Sequence, residues 1–353
     1  MSAKYLKKEN LAPWLQALAK ERLTLAPCRE GDAVVFRPFD PNQEIVLDQQ
    51  ATTPPKGAVF PQCEPLLAFK YAKDSEDSET PGKVAVQIKE TIPNGSSVVM
   101  GCRPCDARGF LTFDRVYDSE SARDLNYLAR RRNTLFVTLA CNEPASTCFC
   151  NWMGSGPADT EGSDVLMVPV EGGFVLEPVT EAGEKLLQKA SLEDPGDKSA
   201  QAEAVKEKAS KALGEAPDLS QTREKLLSLF DNMEFWEDVS AKCISCGACT
   251  YLCPTCYCFN ITDEQSGAQG VRLRTWDNCM SHLFTMEASG HNPRPTKAHR
   301  LKNRVGHKFS YYPDIHDGNI ACCGCGRCIK SCPSSVDIRQ IVLQAMAAGA
   351  ANE

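Results

Sequence analysis

Apolar residues fall along the chain in short blocks, and the spacing within each block predicts a mixed helix-and-strand fold. Leu11 to Leu23 carries a helical pattern, with Pro13 near the first turn, where its missing N–H costs nothing. Val34-Val35-Phe36 is a strand candidate, and a short helical pattern leads up to Tyr71. The acidic, turn-rich residues 73–82 read as a solvated loop. Val98-Val99-Met100 reads as a buried strand, followed by a helix from about Asp106 to Tyr117, with Asp106 as N-cap or first-turn acid. Thr134 to Ala140 is a further strand. Asp164–Val170 and Phe174–Val179 flank Glu171-Gly172-Gly173 as a β-hairpin, and a helix from Thr180 to about Ala190 closes the region. Residues 191–220, rich in Lys, Glu, Ala, Asp and Ser, hold a helix over about 199–213 and read as a solvated linker. One or two amphipathic helices over Gln221–Val239 and a last helix over about 336–347 complete the pattern.

The fold class expected is α+β, an N-terminal α/β domain followed by a C-terminal, α-helical, two-cluster ferredoxin-like domain. The domains are drawn at 1–190, 191–240 (helical linker) and 241–353, the last with a long basic insert at 254–321. In the first, strand, cysteine-bearing turn, helix, strand and cysteine-bearing loop follow in order. That succession brings both loops to the C-terminal ends of parallel strands.

The ferredoxin expectation comes from two cysteine runs. Cys243, Cys246, Cys249 and Cys253-Pro254 make the first, and Cys322, Cys325, Cys328 and Cys332-Pro333 the second. Each reads C-x2-C-x2-C-x3-C-P, the spacing of a two-cluster bacterial ferredoxin, in which the fourth cysteine serves the other cluster. That pairs Cys243, Cys246 and Cys249 with Cys332, and Cys322, Cys325 and Cys328 with Cys253. A zinc site usually wants two C-x2-C knuckles across a spacer, so the repeated triplet favours two 4Fe-4S clusters.

Four more cysteines, Cys105, Cys141, Cys148 and Cys150, sit on the two N-terminal loops. They are enough for a third iron–sulfur cluster; inert buried thiols and a four-thiolate zinc are the alternatives, and Cys102 is a reserve ligand. Cys256, Cys258 and Cys279 read as buried thiols beside the clusters, a further cluster or a replacement ligand being the alternative, and Cys28 and Cys63 as bland. The insert holds all five histidines, which lack the pattern of a closed zinc site. It also carries six Lys/Arg and no acid between His291 and Tyr312. That basic run either stabilises anionic clusters locally or docks an acidic partner.

Composition narrows the class. Apolar content of 42% and charged content of 24% suit a globular chain that needs no disulfide staples, although it has 19 cysteines among 353 residues. The cysteines are grouped as metal ligands are, and neither an apolar leader nor a membrane-length apolar run is visible, so a reducing cytoplasm is expected. A net charge of −7 argues against nucleic acid as a partner. No nucleophile–base pair, phosphate loop or dinucleotide glycine motif is present, so no catalytic residue is assigned.

Several phrases say more than spacing does: Phe60-Pro61-Gln62, Arg103-Pro104-Cys105-Asp106, Thr147-Cys148-Phe149-Cys150, Cys253-Pro254-Thr255-Cys256-Tyr257-Cys258, Trp276-Asp277-Asn278-Cys279 and Gly290-His291-Asn292-Pro293. Together, over roughly 55–345, they make the chain resemble the family of 4Fe-4S dicluster electron-transfer proteins typified by the A subunit of anaerobic sulfite reductase. The β subunit of sulfhydrogenases and the B subunit of flavin oxidoreductases working with heterodisulfide reductase belong to the same family. The resemblance implies an electron-relay subunit beside a flavoprotein that handles NAD(P)H. The alternative is an oxidoreductase subunit with its own flavin or substrate site in the N-terminal domain. The chain departs from the family pattern at Cys323, where a small apolar residue is expected, and at Asn278, where serine is.

Overall fold

The computed structural model describes residues 2–73, 84–188 and 190–348. Apart from Lys73, the acidic stretch 73–82 lies outside the described residues. The architecture is α+β, as expected. Among the described residues the strands are β1 (Lys4–Lys7), β2 (Leu23–Glu30), β3 (Ala33–Pro38), β4 (Cys63–Lys73), β5 (Val84–Glu90), β6 (Ser97–Cys102), β7 (Thr134–Leu139), β8 (Val165–Val170), β9 (Gly173–Pro178), β10 (Phe259–Ser266) and β11 (Gln269–Trp276). Seven of them form one sheet in the order β1-β9-β8-β7-β6-β2-β3. Its four central strands, β8, β7, β6 and β2, are mutually parallel, and β9, β1 and β3 close the edges antiparallel.

Alternate residues of the central strands enter different cores, the period-2 signature of a sheet covered on both faces. Val98, Met100, Val137, Leu139, Val165 and Met167 pack with helix Leu11–Ala19, around Trp14, Leu15 and Leu18. On the opposite face Val99 and Phe136 pack with Phe110, Phe113 and Tyr127 from helices Pro104–Tyr117 and Leu125–Arg132. The first helix stops at Ala19, because Leu23 already begins β2. Helix Lys198–Ala212, expected to be solvated, lies along β8 and β9: Ala202 and Ala209 are buried, and Lys206 pairs with Glu177 at 3.0 Å.

The second sheet was not anticipated. The stretch up to Tyr71 is strand β4, not a helical pattern, and the order is β10-β11-β4-β5. Two strands therefore come from the N-terminal half and two from the insert. β4 pairs on one side with β5 and on the other with β11, about 200 residues downstream, where Glu64 lies opposite Arg274. That pair is buried: Arg274 donates from Nε and Nη2 to Glu64 Oε1 at 2.8 and 2.6 Å. Arg130 also pairs with Glu64, and Asp124 with Arg274, which ties the small sheet to helix Leu125–Arg132.

The C-terminal core gathers Leu226, Leu229, Trp236, Leu301, Val305, Phe309, Ile338, Ile341 and Val342 from the helices around the cysteine runs. Phe149 and Met153, from the loop after β7, are buried in that same core, so the two halves share it. No helix among the described residues is long and apolar enough to cross a membrane.

Removing one member of a buried ion-pair group leaves its partners charged and unpaired, at a cost of about 3–5 kcal/mol. Glu64→Gln strands Arg130 and Arg274 in this way. It is expected to lower the thermal unfolding midpoint by several degrees, read by differential scanning calorimetry, with the cysteine sites unchanged.

Candidate metal centres

Each C-terminal cysteine run is a tight loop entering a single helical turn. In the first, Ser245 and Gly247 take positive φ (57° and 78°), and helix Ala248–Tyr251 follows at once. In the second, Gly324 and Gly326 do so (64° and 73°) ahead of helix Arg327–Lys330. Positive φ is open to glycine without a Cβ penalty. Here the need is also steric: a Cβ on Gly324 or Gly326 would collide with the backbone carbonyls of Phe149 or Thr147. The Phe149 N–H donates to Gly324 O at 2.8 Å, so the N-terminal cysteine loop lies directly on the second run.

Cys253 lies between the two runs, with Cys249 of its own run also among its neighbours. Its sulfur is among the nearest charges to Cys322, Cys325 and Cys328, although the chain reaches it from the first run. Cys332 lies beside Arg304, and the same guanidinium faces Cys249 of the first run. Backbone donors already point at sulfur: Ser245 N–H to Cys243 Sγ at 3.4 Å, and Val336 N–H to Cys332 Sγ at 3.2 Å.

The third set also converges. Cys105 sits in the first turn of helix Pro104–Tyr117, after β6, and Cys141 lies just past β7. Those strands are adjacent and parallel, so both cysteines emerge at the same sheet edge. Cys148 and Cys150 fold back from the following loop, and all four line one small pocket with Gln50, Gly324 and Cys325. Cys141 is a near electrostatic neighbour of Cys105, Cys148 and Cys150. Burial pushes Cys148 up to about 11 and Cys150 up to about 12. Cys102 points elsewhere, its thiol turned to Val137 O at 3.9 Å inside the sheet. Cys323 is turned toward Cys325 and Cys105, whereas Cys322 faces Lys308 and Cys253, so the two do not share one position. Cys28 is buried against Ala26 and Val35 carbonyls, and Cys63 is exposed on β4.

The basic insert turns inward. Arg300, Arg304 and Lys308 are buried, and Lys56 joins them from the N-terminal half. Lys308 Nζ donates to Cys253 Sγ at 3.4 Å and to Thr255 Oγ1 and Ala321 O, both at 2.9 Å. Burial alone would discharge it, yet the sulfurs of Cys253, Cys256 and Cys322 hold its pKa well above the ordinary lysine value. Arg304 faces Cys249, Cys328, Cys256 and Cys253, and its Nε finds no hydrogen-bond partner among the described residues. Cations this deep need anions, and here the nearest opposite charges are sulfurs. A thiolate-bound, negatively charged iron–sulfur group fits that demand. Lys56 was not picked out by sequence reasoning; its position just after Pro54-Pro55 carries no signal. Arg327, inside the second run, forms a buried ion pair with Asp106 at 2.5 Å, next to Cys105.

The histidines take structural partners, His307 the Tyr257 hydroxyl at 3.1 Å and His299 the Thr296 hydroxyl at 2.7 Å. Among the described residues no three His, Cys, Asp or Glu side chains close around a single metal ion. Cubane thiolates stand on separate irons, so they do not crowd one centre.

Residues 242–336 match the 4Fe-4S dicluster domain family. The chain therefore carries a 4Fe-4S dicluster domain over those residues. The match extends beyond the domain: the chain is 26% identical over 339 residues to sulfhydrogenase 2 subunit beta of Pyrococcus furiosus, covering 94% of this chain and 95% of that one. No solved structure matches the chain. Two 4Fe-4S clusters are therefore the cofactors of this dicluster protein, and electron transfer is its chemistry.

Removing the Lys308 charge from beside the Cys253 sulfur favours the less negative, oxidised state of the attached centre. Lys308→Met is expected to lower the midpoint potential of one cluster while the bound iron is retained. An EPR-monitored redox titration reads both.

Proposed function

We propose that this dicluster protein is the electron-relay subunit of a hydrogenase-type oxidoreductase complex. It would pass single electrons between a flavoprotein that handles NAD(P)H and a catalytic partner. The observation that carries the reading is the direct contact of two cysteine sets, the 147–150 loop on the 322–328 loop. Cys243, Cys246, Cys249 and Cys332 hold one cluster. Cys322, Cys325 and Cys328 hold the other together with Cys253, whose sulfur lies among theirs. Cys105, Cys141, Cys148 and Cys150 hold a third, supported by their shared pocket, in which the Cys148 thiol reaches Cys325 O at 3.9 Å.

Iron–sulfur groups supply reversible one-electron chemistry. The chain's own residues set the rest. Arg304 and Lys308 favour added negative charge at the C-terminal sites, Phe149 and Met153 exclude water between the halves, and the glycine contacts keep the loops close. The shared core joins 1–190 to 241–353, with 191–240 as the connecting helices. The thiol-rich sites suit a reducing cytoplasm. Kinship to a sulfhydrogenase β subunit supports protein partners.

A second reading has one observation in its favour. A cleft beside Cys141, at the C-terminal end of β7, is lined by Lys8, Asp48, Arg103, Leu139, Asn142 and Phe174. A bound flavin in the chain purified without partners would move the function to that cleft.

With four irons per cluster, the anaerobically purified chain is expected to hold about twelve irons. Cys141→Ser and Cys150→Ser should each lower that by about four and leave the signals of the two C-terminal clusters in place. Iron analysis with EPR is the check; about eight irons in the unaltered chain would remove the third cluster from the proposal.

A further inference from the structure

Gln50 stands between the N-terminal cysteine set and the second cysteine run. It lies in the segment after β3, which is fastened at both ends to the β2–β3 hairpin. The Val46 N–H donates to Pro27 O and the Thr52 N–H to Val34 O, both at 2.8 Å. Two buried guanidinium groups hold the same segment from the inside. Arg103 Nη2 donates to Leu47 O at 2.7 Å, and Arg327 Nε to Ala51 O at 2.8 Å. Gln50 is therefore presented by anchored backbone and not by a free loop. Its Nε2 donates to Cys105 Sγ at 3.7 Å and to Cys325 O at 3.3 Å. A primary amide has two N–H groups, and both are used. The Cys148 thiol reaches the same Cys325 carbonyl at 3.9 Å.

We propose, on the reading that Cys105, Cys141, Cys148 and Cys150 hold a third cluster, that Gln50 is a positioning residue for electron transfer between that set and the second run. One N–H supports negative charge on the Cys105 sulfur, and the other ties that sulfur to the Cys325 backbone. The chemistry of loading selects Gln50 for this role. A cysteine binds metal as a thiolate and has no proton left to give, so the Cys148 donation to Cys325 O ends on loading. The amide does not ionise and keeps both N–H groups. Of the two side chains that meet at Cys325 O, it is the one whose link remains. An N–H bond to sulfur strengthens as negative charge on that sulfur grows, so it stabilises the reduced state over the oxidised one. Hydrogen bonds to the sulfurs are among the features that set the potential of such centres. Gln50 is neutral, so it favours electron uptake without the full counter-charge that Lys308 and Arg304 bring to the C-terminal sites.

The test uses the full chain with its clusters, purified anaerobically, beside two variants. Gln50→Met keeps the length of the side chain without its N–H groups, and Gln50→Glu keeps the shape and exchanges the donors for a carboxylate. An EPR-monitored redox titration follows the signal that Cys141→Ser removes, and iron analysis accompanies it. Both variants are expected to keep about twelve irons. With Gln50→Met the ratio of reduced to oxidised centre at a given potential should fall about tenfold, a downward midpoint shift of about 59 mV for one electron. Gln50→Glu should move the midpoint further in the same direction. An unchanged midpoint in both variants overturns the proposal. So does a loss of about four irons in both, because the side chain would then only hold the site together. About eight irons in the unaltered chain removes the third cluster and the role of Gln50 with it, whereas about twelve irons with unmoved midpoints removes the role of Gln50 alone.

Discussion

Positive charge buried against sulfur shapes the C-terminal half. Arg304 and Lys308 are each 4% exposed and Lys56 is 3% exposed, and the nearest opposite charges to all three are cysteine sulfurs. Moving an ion out of water costs several kcal/mol even after relaxation, and an unpaired one recovers little of it. Lys56 shows the penalty directly, its pKa lowered by burial despite the Cys256 and Cys253 sulfurs beside it. The core around the two runs is therefore arranged for anions. A neutral apolar filling would leave two or three charges stranded. This gives the basic run from Arg294 to Lys308 a reason within the fold: three of its six cations, Arg300, Arg304 and Lys308, are buried.

The N-terminal half handles its charges differently, and the contrast explains how the halves fit. Arg327 crosses from the second cysteine run to Asp106, the acid that accepts the Arg103 N–H at 3.0 Å at the start of helix Pro104–Tyr117. Glu64, Arg130, Arg274 and Asp124 form a closed group of alternating charge between the small sheet and the helix behind the main one. These carboxylates fix where the two halves sit. The glycines then set the distance: with hydrogen in place of Cβ at Gly324 and Gly326, the 147–150 backbone rests on the second run. Electron transfer needs short, constant separations and no moving part, and a shared core with two ion-paired seams supplies both.

The legible parts of this arrangement were those with local signals. The cysteine triplets, the Val98–Met100 and Thr134–Ala140 strands, the glycine-linked hairpin and the last helix all carry their pattern within about a dozen residues. What escaped was long-range or small. β4 pairs with residues 269–275, and its Glu64 is buried only because Arg274 lies opposite. β10 is exposed along its whole length and offers no alternation to read. Helix Lys198–Ala212 looked solvated because the residues it buries are the alanines 202 and 209, which add little to an apolar stripe. Charge on the basic run was legible, with stabilisation of nearby anionic clusters as one of its readings; the burial of Arg300, Arg304 and Lys308 favours that one over docking.

The two halves also differ in what they ask of metal. Burial raises Cys148 and Cys150 to about 11 and 12, which favours the neutral thiol at both. Arg103, nearby, is satisfied by the carbonyls of Leu47 and Ala140 at 2.7 and 3.3 Å. Binding of a metal group by these thiols would release protons as thiolates form. Around Cys253 the balance runs the other way. Lys308 and Arg304 are in place as fixed charges, and Cys253 is held well below the ordinary thiol range by the Cys256 hydrogen bond and by Lys308. The Cys253 sulfur thus lies against fixed positive charge, and a bound anionic group would add to the counter-charge of those cations. The C-terminal sites are thus coupled to the charge balance of the core, whereas the N-terminal cysteines line a pocket without lysine or arginine among the described residues of its wall.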